Sequence, residues 1–192
     1  MNSILESLQD AAYLIGVLKK DSLLINNVEE IVNLLVECFD NTNKVLICGN
    51  GGSACDGMHF AEEFTGRFIK NRKALPVISL TDAAHLTCVS NDFGYDYVFQ
   101  RGVEAYGLKN DVFIGLSTSG NSKNIIYAIN QAKELNLKTV LFLGKSGGEL
   151  KGVADVEVIV PGESTARIQE LHMLLLHIII ENVERKLFPD LY

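Results

Sequence analysis

Hydroxyl-bearing residues crowd the segment 117–122, Ser-Thr-Ser-Gly-Asn-Ser, which follows the apolar run 111–116 and precedes a helical pattern. A strand that ends in hydroxyls and glycine and then opens a helix directs backbone N–H groups, hydroxyls and the positive end of the helix dipole at one spot. A helix N-cap would need only one such side chain. We therefore predict that this segment binds a phosphate group, through Ser117, Thr118, Ser119 and Ser122.

A second glycine-rich loop, 49–54, also lies between an apolar run and a helical pattern. Its sequence, Gly-Asn-Gly-Gly-Ser-Ala, formally fits the dinucleotide-binding pattern G-x-G-x-x-[GA]. The acidic residue that this pattern requires about twenty positions on is missing, because the segment 67–73 is basic. A nicotinamide-dependent oxidoreductase stays an alternative that rests on this glycine match alone.

His59 and Glu63 are four residues apart in the helix predicted after that loop. This spacing rotates them by only ~40° about the helix axis, so both can face one ligand. The alternative is an ordinary i,i+4 pair on a solvated face. Glu62 is ~100° away from Glu63 and is the better candidate for a carboxylate in solvent.

Gln169, His172 and His177 are polar exceptions in an apolar helical pattern near the carboxyl end. Gln169 and His177 are two turns apart and ~80° around the helix, so they could reach a common site, whereas His172 and His177 are ~140° apart. A histidine in an apolar helix is more often a hydrogen-bonded core residue than a ligand. His177 is therefore a functional candidate only if other polar side chains lie close to it in the fold.

Two kinds of chemistry suit these side chains. A carboxylate and an imidazole on opposite sides of a phosphorylated sugar can move a proton between neighbouring carbons and oxygens, which is sugar isomerisation without a redox cofactor. The alternative is a metal site, because histidine and glutamate are good zinc ligands. Glutamine is a poor zinc ligand, so the spacing alone does not point to zinc.

Five continuous apolar runs alternate with helical patterns after residue 43 and indicate an α/β fold with a parallel sheet covered on both faces. Ligands of such sheets collect at the carboxyl ends of the strands, where both glycine-containing loops lie. The runs occupy residues 44–49, 75–80, 111–116, 138–143 and 156–160.

Of three further helical segments, the amino-terminal and the carboxyl-terminal ones suggest a symmetric oligomer. Residues 26–39 form an amphipathic pattern, and the helix predicted at 165–187 is apolar on nearly every side between 168 and 183, more than one face on a core requires. In the amino-terminal segment, apolar residues recur at spacings of four and three, which is a seam suited to another helix: Ile4, Leu8, Ala11, Ile15 and Leu18.

Composition narrows the class of protein. With 192 residues, of which 47% are hydrophobic, the chain suits one globular domain, and its net charge of −7 argues against a nucleic-acid partner. Four cysteines without a CxxC pair suit reduced thiols. The first six residues lack a basic stretch, and the most apolar stretch, 174–180, is short. We expect a cytoplasmic protein with no membrane contact.

Taken together, these motifs resemble the phosphoheptose isomerases (sedoheptulose 7-phosphate isomerases) of the sugar isomerase (SIS) domain family. The likeness spans almost the whole chain. The serine-rich loop is typical of the wider SIS family, and the paired His59/Glu63 and Gln169/His177 sets narrow it to the heptose branch. The segments that carry the resemblance are 48–53, 58–63, 65–67, 90–94, 117–122 and 166–172.

The resemblance implies an α/β fold of the flavodoxin-like kind, a three-layer α-β-α sandwich with a five-stranded parallel sheet. It implies a single SIS domain over residues 1–192, in which the helical segment 1–42 packs in the oligomer and 43–192 forms the core with the carboxyl-terminal helix. It also implies a homotetramer with active sites between subunits. The implied reaction converts D-sedoheptulose 7-phosphate to D-glycero-D-manno-heptose 7-phosphate, the first step towards ADP- or GDP-heptose for surface glycans such as lipopolysaccharide.

The resemblance also implies roles for individual residues. Glu63 and His177 would be the acid/base pair, and one Zn²⁺ per subunit would be bound by His59, Glu63, Gln169 and His177, with no nucleotide cofactor. A residue bound to zinc is a poorer proton carrier unless the metal leaves or polarises the substrate carbonyl instead. Substrate contacts would come from Asn50, Gly51, Gly52, Glu63, Asn91, Asp92, Ser117, Thr118, Ser119, Ser122 and Gln169.

One departure and one alternative accompany this resemblance. Some family members carry an acidic residue where this chain has Ala166, so any contribution of that acid is absent. Non-catalytic tetrameric SIS proteins that bind the bacterial replication initiator have a similar tail, here Leu187-Phe188-Pro189. Those proteins lack the full acid/base set, and the presence of both Glu63 and His177 favours an enzyme.

Overall fold

Five parallel β-strands form one sheet in the computed structural model, which describes residues 3–192. The first two residues of the predicted segment 1–42 lie outside the described residues. All five predicted runs are strands, and the sheet order is β2-β1-β3-β4-β5. The strands are β1 (Val45–Gly49), β2 (Val77–Ser79), β3 (Val112–Ser117), β4 (Lys138–Gly144) and β5 (Val156–Val160).

Seven α-helices flank the sheet within the described residues. The sheet divides the core into two apolar clusters, one on each face. α2, α3 and α7 contribute to the cluster on one face, and α4, α5 and α6 to the cluster on the other. This confirms the predicted three-layer α/β sandwich. The helices are α1 (Ser3–Leu18), α2 (Ser22–Asp40), α3 (Gly52–Thr65), α4 (Ala83–Asp92), α5 (Val98–Tyr106), α6 (Lys123–Glu134) and α7 (Thr165–Leu187).

Two predicted boundaries differ from the structure for local reasons. α2 begins four residues before the predicted start at residue 26, because the side chain of Asp21 accepts a hydrogen bond from the backbone N–H of Leu24 (3.0 Å) and caps the helix. β2 is shorter than the predicted run 75–80, because Pro76 has no N–H to donate and the N–H of Leu75 bonds to Phe64 instead.

The apolar surface of α7 is buried mainly inside the subunit, so its all-round apolarity does not by itself require a partner. Its residues Leu174 and Ile178 stay exposed. In α1, Leu18 is buried, whereas Ile4 and Leu8 are exposed. Among residues 3–192, no helix is both long and apolar enough to cross a membrane.

Candidate active site

The two glycine-containing loops follow neighbouring strands. β1 pairs with β3 along its whole length, and Gly49, the last residue of β1, is the register partner of Leu116, the residue before the last in β3. The chain leaves β1 through α3 towards β2 and leaves β3 through α6 towards β4, so the connections diverge on the two sides of this pair. Such a switch point opens a crevice at the carboxyl ends of the strands, where ligands bind in sheets of this kind.

The serine-rich loop is held in shape by its own hydroxyls. Ser122 occupies the N-cap position of α6, but its side chain makes no capping bond; its Oγ lies 3.1 Å from that of Ser117. The N–H of Gly120 donates to Ser117 Oγ (3.1 Å), and the N–H of Asn121 donates to Ser119 Oγ (3.2 Å). Since no side chain caps the first turn of α6, and the N–H groups of Ile125 and Ile126 donate to the carbonyl oxygen of Ser122, the N–H groups of Lys123 and Asn124 are the ones able to bind an anion.

A second loop braces the serine-rich loop from behind. Gly120 has a φ of +67°, and a Cβ at this position would lie 1.8 Å from the carbonyl oxygen of Gly147. The side chain of Asn121 accepts a hydrogen bond from the N–H of Glu149 (2.9 Å). Only glycine fits position 120, because the loop after β4 packs directly against it.

The loop after β1 is joined to the serine-rich side of the crevice by amide hydrogen bonds. Asn50 and Asn124, the second residue of α6, exchange a pair of bonds between their side chains (2.9 and 2.8 Å). The hydroxyl of Tyr95 donates to Asn50 Oδ1 (2.7 Å). Asn50 is therefore fixed by two parts of the same helical layer, the start of α6 and the turn between α4 and α5, although sequence analysis identified neither Asn124 nor Tyr95.

Gln169, at the start of α7, lies against the same loop. A Cβ on Gly52 would come within 2.6 Å of Gln169 Oε1 and 2.7 Å of its Nε2. The absence of a side chain at position 52 thus makes room for this amide. Gln169 is two helical turns from His177 along α7, and its side chain packs against Gly52 in the loop after β1.

His59, Glu63 and His177 converge between α3 and α7. Their donor atoms all lie within 4.8 Å of one another. His59 Nε2 is 3.2 Å from Glu63 Oε1, and the rings of His59 and His177 meet edge to face with their centres 4.9 Å apart. Two imidazoles and one carboxylate at this separation form a donor set suited to zinc.

The environment of His177 favours its neutral form. Burial, followed by the nearby His59, lowers the pKa of His177, and Glu63 opposes this shift. The ring of Phe68 stacks on the imidazole with a centroid distance of 5.8 Å. Sequence analysis did not identify Phe68, because it lies in the loop after α3 and reaches His177 only through the tertiary fold.

Comparison with known proteins identifies the family of this chain. The sequence model described as the SIS domain matches residues 12–144. A phosphoheptose isomerase of Fusobacterium nucleatum is 59% identical over 164 residues, which cover 85% of this chain and 84% of that protein. The chain belongs to the phosphoheptose isomerase family of SIS-domain proteins.

Other members of the phosphoheptose isomerase family match across nearly the full length. The phosphoheptose isomerase of Vibrio cholerae is 51% identical over 96% of this chain and 97% of its own. The solved structure of the phosphoheptose isomerase of Neisseria gonorrhoeae is 36% identical, with a TM-score of 0.89 over 95% of this chain and 97% of that chain. That of Francisella tularensis is 31% identical, with a TM-score of 0.91 over 96% and 97%.

Four other polar residues that sequence analysis considered lie on α3, α4 and α7. Asn91 and Asp92 are exposed at the carboxyl end of α4, four and three residues before Tyr95. The Nδ2 atom of Asn91 donates a hydrogen bond to Asp92 Oδ1 (2.8 Å). Glu62 is exposed, as its helical position predicts. His172 is buried in the core, where its Nε2 lies 2.9 Å from the carbonyl oxygen of Leu143.

Asp56 is a further polar residue that sequence analysis did not single out. It lies on α3 one turn before His59, and its Oδ2 is buried without a hydrogen-bond partner. Burial raises its pKa to about 6, and His59 opposes the shift. The carboxylate adds negative potential next to the His59, Glu63 and His177 cluster.

Proposed function

We propose that the protein is an aldose-ketose isomerase that converts D-sedoheptulose 7-phosphate to D-glycero-D-manno-heptose 7-phosphate. Membership of the phosphoheptose isomerase family gives the class of reaction. The observation that carries the proposal is the meeting of Glu63 and His177, from separate helices, in one cluster with His59. A carboxylate and a neutral imidazole, here with their polar atoms within 4.8 Å, are the groups that an enediol mechanism requires.

Substrate binding follows from the two loops. The phosphate would bind at the start of α6, where Ser117, Thr118, Ser119 and Ser122 supply hydroxyls and the helix supplies free N–H groups. The sugar hydroxyls would meet the amides of Asn50 and Gln169 beside Gly51 and Gly52. Asn91 and Asp92 would border the sugar, because the segment that follows them reaches Asn50 through Tyr95.

Proton transfer would take place between C1 and C2 of the sugar. One member of the pair Glu63 and His177 removes the proton from carbon, and the other moves a proton between the two oxygens. The lowered pKa of His177 keeps its imidazole neutral near pH 7, so that it can either accept or donate a proton at a ring nitrogen. Phe68 holds the ring plane by stacking on it.

His59, Glu63 and His177 fit a zinc ion, and Gln169 is the further ligand that the resemblance implies. When bound, zinc would polarise the substrate carbonyl and so make the neighbouring C–H more acidic. The chain's own groups still hold the substrate and move the proton. The side chain of Gln169 contacts Gly52, so its contact with the sugar has more structural support than its contact with the metal.

We also propose a homotetramer in the cytoplasm, acting in heptose synthesis for surface glycans. An apolar groove of about 400 Å³ runs between α1, α2 and α7 on the surface of the subunit. A second copy would cover this groove together with the exposed apolar residues of α1. The groove is lined by Ile15, Leu18, Lys19, Leu24, Ile25, Val28, Leu174, Leu175 and Ile178.

The replication-initiator alternative is not favoured. The matched relatives at 51% and 59% identity are phosphoheptose isomerases, and they match over most of the chain. A substrate panel tests the proposal: purified, zinc-supplemented protein is incubated with ketose phosphates of five, six and seven carbons and with unphosphorylated sedoheptulose. We expect turnover of sedoheptulose 7-phosphate and none of sedoheptulose. Equal turnover of both sugars would contradict the role of the serine-rich loop.

A further inference from the structure

Arg72 and Glu184 form an ion pair that is enclosed by the protein. Arg72 Nε lies 3.1 Å from Glu184 Oε2, and the exposed fractions of the two side chains are 0% and 1%. Glu184 belongs to α7, two turns after His177, and therefore lies on nearly the same side of that helix. Arg72 comes from the loop between α3 and β2.

The guanidinium of Arg72 also caps the end of α3. Its Nη2 donates to the carbonyl oxygen of Glu63 (2.7 Å), and its Nη1 donates to those of Phe64 (2.7 Å) and Lys73 (3.1 Å). The last carbonyls of a helix have no partner within the helix, and a positive charge at this end is favoured by the helix dipole. The residue whose carbonyl Arg72 holds is the proposed acid/base residue itself.

Two further donors fix the carboxylate of Glu184. The backbone N–H of Lys70 donates to Glu184 Oε1 (3.0 Å), and the hydroxyl of Tyr192 donates to the same oxygen (2.6 Å). Lys70 Nζ and Arg185 Cζ lie over the Tyr192 ring, 5.0 and 4.4 Å from its centre. The pair thus has several directional bonds and little freedom to rearrange.

We propose that the buried Arg72–Glu184 ion pair is a positioning device that sets the separation between Glu63 on α3 and His177 on α7. It joins the carboxyl end of α3 to α7 and acts on Glu63 through the backbone. This inference rests on the proposed function for its catalytic consequence, and on the geometry of the His59, Glu63 and His177 cluster for its effect on metal binding.

Stability alone does not account for such a pair. Buried ion pairs often contribute little net stability, because removing both charges from water costs about as much as their attraction returns, and replacing them by apolar residues of similar size is often neutral. Apolar residues in place of the ion pair could not make the directional hydrogen bonds that Arg72 and Glu184 make. Outer partners of this kind typically change metal affinity or activity 10- to 100-fold when removed.

The decisive variant is the double substitution Arg72→Met with Glu184→Met, which leaves no unpaired buried charge. The matched control is Glu181→Gln, because Glu181 lies on α7 between His177 and Glu184 and pairs with the exposed Arg185. Three quantities are measured: zinc affinity by competition with a chelator, kcat and KM for sedoheptulose 7-phosphate, and the urea midpoint of unfolding.

We expect the double variant to stay folded, with zinc affinity and kcat each reduced about 10- to 100-fold and KM within about twofold of the parent. The control should match the parent in all three. A folded double variant with zinc affinity and kcat within twofold of the parent would overturn the inference.

If the double variant does not fold, Glu184→Gln decides by the same readouts, because it keeps the shape while it removes the charge and one of the two acceptor oxygens that Arg72, Lys70 and Tyr192 use. A parent that binds zinc but turns over no substrate would refute the proposed function, while the zinc affinities of the variants would still judge the positioning role.

Discussion

His177 and His172 show how the same residue type on one helix takes opposite roles. His172 is fully buried, bonds through Nε2 to Leu143, and has its pKa lowered by burial to about 4. His177 lies at the edge of the crevice in contact with His59 and Phe68. Sequence spacing separated the two histidines correctly, because their angular positions on the helix differ. It could not find Tyr95, Asn124, Phe68 or Arg72, whose contacts join distant parts of the chain.

The acid/base pair is tested by isosteric substitutions. Glu63→Gln and His177→Asn should leave the fold intact and lower kcat by about 10²- to 10⁴-fold, because each removes a group that exchanges a proton. Steady-state kinetics measure kcat of each variant and of the parent, and circular dichroism compares their folds. Glu62→Gln is the matched control, since Glu62 is the exposed neighbour of Glu63 and its Oε1 lies farther from His59 Nε2 (3.8 Å against 3.2 Å), so this variant should retain most of the activity. Full activity in Glu63→Gln would refute the assignment.

His172 predicts a pH dependence of stability. Its pKa is lowered in the folded state, so protonation favours the unfolded chain; its contribution is complete above the unfolded value of about 6.5 and is lost as the pH falls towards 4. At pH 5 the loss is about 2 kcal/mol.

Urea unfolding of the parent and of His172→Gln between pH 4 and 8 measures this contribution. The difference in free energy of unfolding between the two proteins should change by about that amount between pH 7 and pH 5. A constant difference across the range would show that His172 does not titrate as its burial requires.

At the scale of elements, the strand-to-helix junctions place the site. The five apolar runs and the helix at 165–187 could be predicted because fully buried parallel strands are continuous in apolar residues. The exact start of α2 could not, since it depends on whether Asp21 finds the N–H of Leu24. The contact between Gly52 and Gln169 could not be predicted either, because it joins the beginning of α3 to the beginning of α7, which are far apart in the sequence.

Two glycines of α3 allow a matched test of that contact. Gly52→Ala should move the Gln169 amide, which its Cβ would meet at 2.6 Å, and should lower kcat/KM about tenfold or more. Gly57→Ala would make only ordinary contacts, the nearest at 3.5 Å from Ile47, and should retain activity while stabilising the helix by up to about 1 kcal/mol. If both variants have parental kinetics, Gln169 does not contact the substrate.

At the scale of the whole molecule, most of the exposed leucine and isoleucine side chains among the described residues lie on α1, α2 and the outer side of α7. Ile25, Leu174 and Ile178 are exposed and line the groove, and Ile4 and Leu8 are exposed on α1. Large contiguous apolar patches on a soluble protein are typical of protein interfaces. The sequence predicted the seam of α1, whereas the groove depends on how three helices pack.

A charge placed in the groove tests the proposed assembly. Ile178→Lys should reduce the oligomer to smaller species in size-exclusion chromatography with light scattering, because burying an unpaired ammonium in an interface is costly. Activity should fall with it if subunits share active sites. Leu108→Lys, which changes an exposed apolar residue on the opposite layer, should leave the oligomer intact. An unchanged oligomer in Ile178→Lys would exclude this groove as the interface.

The most direct test of the isomerase assignment follows sedoheptulose 7-phosphate by proton NMR in D₂O with purified, zinc-supplemented protein. We predict conversion to the aldoheptose 7-phosphate with deuterium at C2, because Glu63 and His177 would exchange the transferred proton with solvent in an open crevice. Aldose without deuterium would keep the reaction but require a shielded proton or a hydride shift. No conversion by folded protein would contradict the account.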